Sequence, residues 1–131
     1  MMTIDAQRIR FKGKAISAAH AFRGSVEGAD AKPFIDALYE QWLSTGQQLS
    51  EVERWLLDRF SDEFKYTNEP PQWVENEPSW PFLNGKPMTF ISQCTVGELS
   101  PGETVFLFGA RQPKGKGFEV IYRVISQFEG L

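Results

Sequence analysis

At 131 residues and a formal net charge of −3, the chain is long enough to bury a core without staples and lacks the basic field that a phosphate-backbone binder needs. A composition of 41% hydrophobic and 24% charged residues argues against disorder, and a single cysteine, Cys94, excludes an intrachain disulfide. No apolar run reaches the length of a membrane span.

The start, Met1-Met2-Thr3-Ile4-Asp5-Ala6, has neither the basic nor the apolar region of a secretory signal, so cytoplasmic residence is expected. Eleven Phe and four Trp supply much buried area per position, enough for a small core. One domain over residues 1–131 is the expectation.

In chain order, Arg8-Ile9-Arg10-Phe11-Lys12 alternates charged and apolar residues, which predicts a half-buried strand, with Gly13 turning after it. Ala15 to Phe22 fits a strand or a short helix, and Gly24 to Asp30 reads as a loop. Asp30 is then placed to cap a helix with Pro33 in its first turn. Phe34, Leu38 and Trp42 form one row at helical spacing, and Ile35, Tyr39 and Leu43 form the next, with Gly46 as a stop. Ser50 and Glu53 have capping-box spacing ahead of a second helix burying Val52, Trp55, Leu56 and Phe60. Few residues join the two helices, so an antiparallel helical hairpin is expected.

Beyond Tyr66 the texture changes. Residues 68–81 carry four prolines together with Trp73 and Trp80, which forbids a regular helix and predicts an ordered loop pinned by the two indoles. Strands are expected at Met88–Val96, Thr104–Gly109 and Phe118–Phe128, the last two flanking a Gly-rich turn at Gln112–Gly117. In the first of these, Met88, Phe90 and Ser92 should share one face and Thr89, Ile91 and Gln93 the other. The fold class is therefore α+β, an antiparallel β-sheet packed against an N-terminal helical hairpin.

The chemistry-bearing residues are sparse. His20 and Cys94 are single copies, too few for a structural zinc site. Cys94 sits mid-strand, without a feature to activate its thiol, and reads as a buried structural residue. Asp58 and Asp62 share a helix face and do not span a cleft as a glycosidase pair would. Lys114-Gly115-Lys116-Gly117 lacks phosphate-loop spacing and reads as a hairpin tip. No cofactor is implied, and catalysis is not expected.

Charge is uneven. From Glu51 to Glu77 eight acidic residues face three basic ones, a local balance of −5. This stretch is either a solvated face or a docking surface for a basic partner. It runs into the Trp73–Trp80 loop, which makes Glu69, Trp73, Glu75, Glu77 and Trp80 the candidate partner-binding residues.

The segment Glu77 to Gln93 carries Pro78, Trp80, Pro81, Gly85, Pro87, Met88, Phe90, Ile91 and Gln93. This resembles the YwqG-like family of bacterial proteins, which is similar also in the later Gly102–Gly109 strand. The resemblance covers about a third of the chain, and its residues are mostly structural. It implies kinship with small bacterial proteins encoded beside toxins and suspected of being immunity proteins. The expectation is a cytoplasmic immunity-type inhibitor that occludes the active site of a basic toxin. Such a protein would be a monomer or weak homodimer, with no nucleic acid or membrane partner. The alternative is a small ligand-binding domain or enzyme with a pocket between helices and sheet, using His20, whose ring suits proton transfer near neutrality.

Overall fold

The computed structural model describes residues 3–130. It has three helices, α1 (Ile4–His20), α2 (Lys32–Thr45) and α3 (Val52–Glu63). A short ladder of β1 (Phe82–Leu83) and β2 (Lys86–Pro87) follows, and then a sheet of β3 (Thr89–Thr95), β4 (Glu103–Lys114) and β5 (Gly117–Phe128). Both sheets are antiparallel, and the larger has the order β3-β4-β5. The architecture is α+β. No helix among the described residues is long and apolar enough to cross a membrane.

The N-terminal strand expected at Arg8–Lys12 is instead part of α1. The Thr3 hydroxyl accepts from the Ala6 N–H at 3.1 Å and starts the helix, as an N-cap should. Phe11, Ala15, Ala18 and Ala19 are buried at helical spacing while Ile9 is exposed. The local alternation was produced by an apolar residue that faces water. Gly13 lies inside the helix and turns nothing. Beyond His20 the Gly24 N–H donates to the Ala19 carbonyl at 2.9 Å around Arg23, whose φ is 60°, a Schellman-type ending. Gly24 is required there by space: a Cβ would fall 2.5 Å from the Phe64 ring.

The helix α2 buries Phe34, Ile35, Leu38, Tyr39 and Trp42 and ends at Gly46, as its spacing predicts, but Leu43, the last of the expected second row, is 44% exposed. Both expected side-chain caps are replaced. Asp30 and Ser50 fall in short 3-10 turns (Ala29–Ala31 and Leu49–Glu51), and α2 and α3 begin without a side-chain cap. Asp30 Oδ2 instead accepts from the Phe82 N–H at 3.3 Å. α1 packs against both later helices, and the Phe34 ring stacks on Phe60 at 5.9 Å to join α2 to α3. A continuous aromatic cluster then runs through Phe64, Trp80 and Phe82 to Phe90, Phe106 and Phe108 of the sheet.

In the sheet, a bulge between Phe90 and Ser92 breaks the expected alternation. Directly paired residues share a face, so Gln93, opposite Phe106, joins Phe90 on the inner face. Ser92, opposite Leu107, moves to the outer one. β4 runs five residues past Gly109, and the β4–β5 turn shrinks to Gly115-Lys116. Gly115 has φ 60°, the sign that the first residue of a type II′ hairpin turn requires.

Candidate binding surface

The loop rich in proline lies across the inner face of the sheet. Trp73 is half-buried, tilted over Phe106 at 4.7 Å and stacked on Phe108 at 6.1 Å, and its Nε1 donates to the Arg23 carbonyl at 2.7 Å. Gln93 on β3 and the backbone of Gln72 bond reciprocally, at 2.7 and 3.2 Å. On β5, Gln127 is fully buried; its Oε1 accepts from Val74 and Glu75 N–H, and its Nε2 donates to the Glu77 carbonyl and Ser79 Oγ. The loop is thus ordered and pinned, as its composition predicts.

That pinning changes the expected contact set. Trp80 is only 4% exposed and donates its Nε1 to the Met88 carbonyl at 2.7 Å, so it is a core residue and offers a partner nothing. Trp73 presents part of one ring. Glu69, Glu75 and Glu77 are exposed. Of these, Glu75 is committed within the fold, its Oε2 accepting from the Phe128 N–H at 2.8 Å.

Helices and loop all pack on the inner side, where Phe90, Phe106 and Phe108 are buried. The outer side has no covering element among the described residues. Register assigns to it Val105, Leu107, Gly109 and Arg111 of β4, opposite Ser126, Val124, Tyr122 and Val120 of β5. Exposure there is high: Phe118 57%, Val120 43%, Tyr122 62%, Val124 61% and Phe128 52%. These residues are five of the nine exposed large hydrophobics among the described residues. All sit at even positions of one strand, so they form one row.

The opposite set on β5 contains Glu119, Arg123 and Gln127, the polar residues that bond back to the fold. Arg123 donates to the Phe82 carbonyl at 3.2 Å, and Glu119 pairs with Lys114 at 3.5 Å. The more apolar side of the strand is the one left open. Single exposed apolar residues are ordinary, whereas a contiguous row across a sheet marks an interaction surface. The sequence carries the signal in the alternation of Phe118-Glu119-Val120-Ile121-Tyr122-Arg123-Val124.

A cleft of about 420 Å³ between the loop and β5 is lined by Glu27, Asp30, Glu77, Trp80 and Arg123 among others, and by neither His20 nor Cys94. Asp30 and Arg123 both spend their hydrogen bonds on Phe82. His20 is exposed at the end of α1. No group of three or more metal-ligating side chains gathers among the described residues.

Cys94 is exposed rather than buried; opposite Val105, it stands on the outer face. Native protein should therefore react with a chromogenic disulfide reagent at one thiol per chain without denaturant. A thiol titrating only after unfolding would contradict this placement.

Comparison with family models, curated proteins and solved structures finds no match to this chain.

Proposed function

We propose that this chain works by binding another protein, with the outer face of its sheet as the contact surface and without catalysis. The observation supporting this reading is the row Phe118, Val120, Tyr122 and Val124, apolar and open on the side that nothing covers. Within that class the reading is an inhibitor of immunity type, residing in the cytoplasm and neutralising a basic toxin domain by occluding its active site. Occlusion needs contact area and no reacting side chain. The resemblance of residues 77–109 to the YwqG-like family supports the same class. Glu69 and Glu77 supply exposed negative charge, which accelerates encounter with a basic partner, while apolar contacts slow dissociation.

The test uses the partner retained from host extract by the immobilised chain and identified by mass spectrometry. Val120→Lys with Val124→Lys should weaken that complex by roughly a hundredfold, because two desolvated ammonium groups lack partners at the contact. Both residues are exposed in the free chain, so circular dichroism should be unchanged. Glu69→Lys with Glu77→Lys should mainly slow association and flatten its salt dependence. Full affinity in the lysine pair would remove the outer face from the reading.

A further inference from the structure

The outer face has a charge order along its length as well as an apolar middle. At the hairpin end, Arg111 lies on this face opposite Val120, its guanidinium 4.4 Å above the Phe118 ring, and Lys116 stands in the turn beyond. At the other end, Glu103 is opposite Phe128 on the same face, with exposed Glu98 and Glu129 beside it. From Glu103 to Arg111 is about 26 Å at the strand rise of ~3.3 Å per residue. Between them lie Val105, Leu107, Val120, Tyr122 and Val124.

A surface that is positive at one end, apolar in the middle and negative at the other is complementary to itself after a half-turn. The axis must lie between the two sheets and run across the strands, so that each hairpin tip covers the partner's opposite end. The alternative axis, along the strands, would set Arg111 beside Arg111 and Glu103 beside Glu103. Resting on the outer-face reading above, we propose that, while no other protein is bound, the occupant of this face is a second copy of the same chain, related by a two-fold axis across the strands.

The charge match fixes the register. Arg111 meets the partner copy's Glu103 when the axis passes midway between them, at Leu107, whose cross-strand neighbour is Val124. Leu107 and Val124 then meet their own symmetry mates, Tyr122 meets Ser126, and Val120 meets Phe128. An isologous contact of this kind closes on itself and leaves no growing end.

The contact is small. With Arg111 facing Glu103, β4 overlaps its mate from Glu103 to Arg111, which with three strands gives roughly 26 Å by 14 Å of flat area. That is below the ~800 Å² per partner of a standard interface and fits a weak, concentration-dependent dimer. Two such sheets pack face to face at about 10 Å, as in a β-sandwich.

Sedimentation equilibrium of the wild-type chain should show a monomer–dimer equilibrium. Arg111→Glu and Glu103→Arg should each weaken it by about tenfold, and the two together should restore it to within about threefold, because the swapped ends again attract. A combined variant weaker than either single one would overturn the arrangement. A wild-type chain that stays monomeric up to about 0.5 mM would overturn self-pairing. If Val120→Lys with Val124→Lys still abolishes capture of a different protein, that result leaves the binding-face reading standing. A dimer that survives those same lysines would place self-association elsewhere and reject this face as the self-contact.

Discussion

Trp80→Ala is expected to lower folding stability by about 4 kcal/mol, read as a shift of the urea midpoint at unchanged slope. The ring is enclosed by Phe64 at 5.1 Å, Phe108 at 5.4 Å and Trp73 at 6.4 Å. It therefore holds the junction between α3, the loop and β4. Truncation removes its contacts, leaves a cavity that rigid neighbouring rings cannot collapse, and strands the Met88 carbonyl that its Nε1 now satisfies. An interface anchor behaves oppositely, because an exposed indole can be removed with little effect on folding. A loss below about 1 kcal/mol would return Trp80 to the surface and reopen it as a partner contact.

Gln127→Leu should cost about 3 kcal/mol although the side chain keeps its volume. The amide makes four hydrogen bonds, to Val74 and Glu75 N–H, the Glu77 carbonyl and Ser79 Oγ. An isobutyl group fills the space and answers none of them. The loop termini are near solvent, so water recovers part of the loss and the figure stays below four full penalties. The distinguishing readout is local: amide exchange at Val74 and Glu75 should accelerate at least tenfold, with helix α2 unaffected. Unchanged exchange at those two amides would show that the prolines, and not Gln127, hold the loop.

Helix α2 was legible because Phe34, Leu38 and Trp42 repeat at one spacing over about two turns and Gly46 closes the run. Helix α1 was not, because its buried side is mostly alanine. Ala15, Ala18 and Ala19 give little contrast against water, whereas Ile9 and Phe11 mimic a strand over five residues. The bulge at Ile91 was equally invisible, since one extra residue reverses every later side chain on β3 and leaves no compositional mark.

The site failed to appear for a different reason. Alternation on β5 separates two faces, one with Phe118, Val120, Tyr122 and Val124 and one with Glu119, Ile121, Arg123 and Ile125. Habit buries the first. Which face is covered depends on where the helices and the tryptophan loop come down, and they come down together on the second. Of the two indoles in the aromatic loop, Trp80 lies in the core and Trp73 is half-buried against it.

The Phe128 N–H points away from β4, into the Glu75 carboxylate. Backbone direction repeats every second residue along a strand, so the peptide groups of Ser126, Val124, Tyr122, Val120 and Phe118 also point outward. None of them has a backbone partner among the described residues. The sheet thus ends in a bare lip where an extended chain could add as a fourth strand, beginning at the hairpin turn. Glu75 blocks that growth at Phe128: the carboxylate occupies the place of the incoming carbonyl and gives the open edge a definite end.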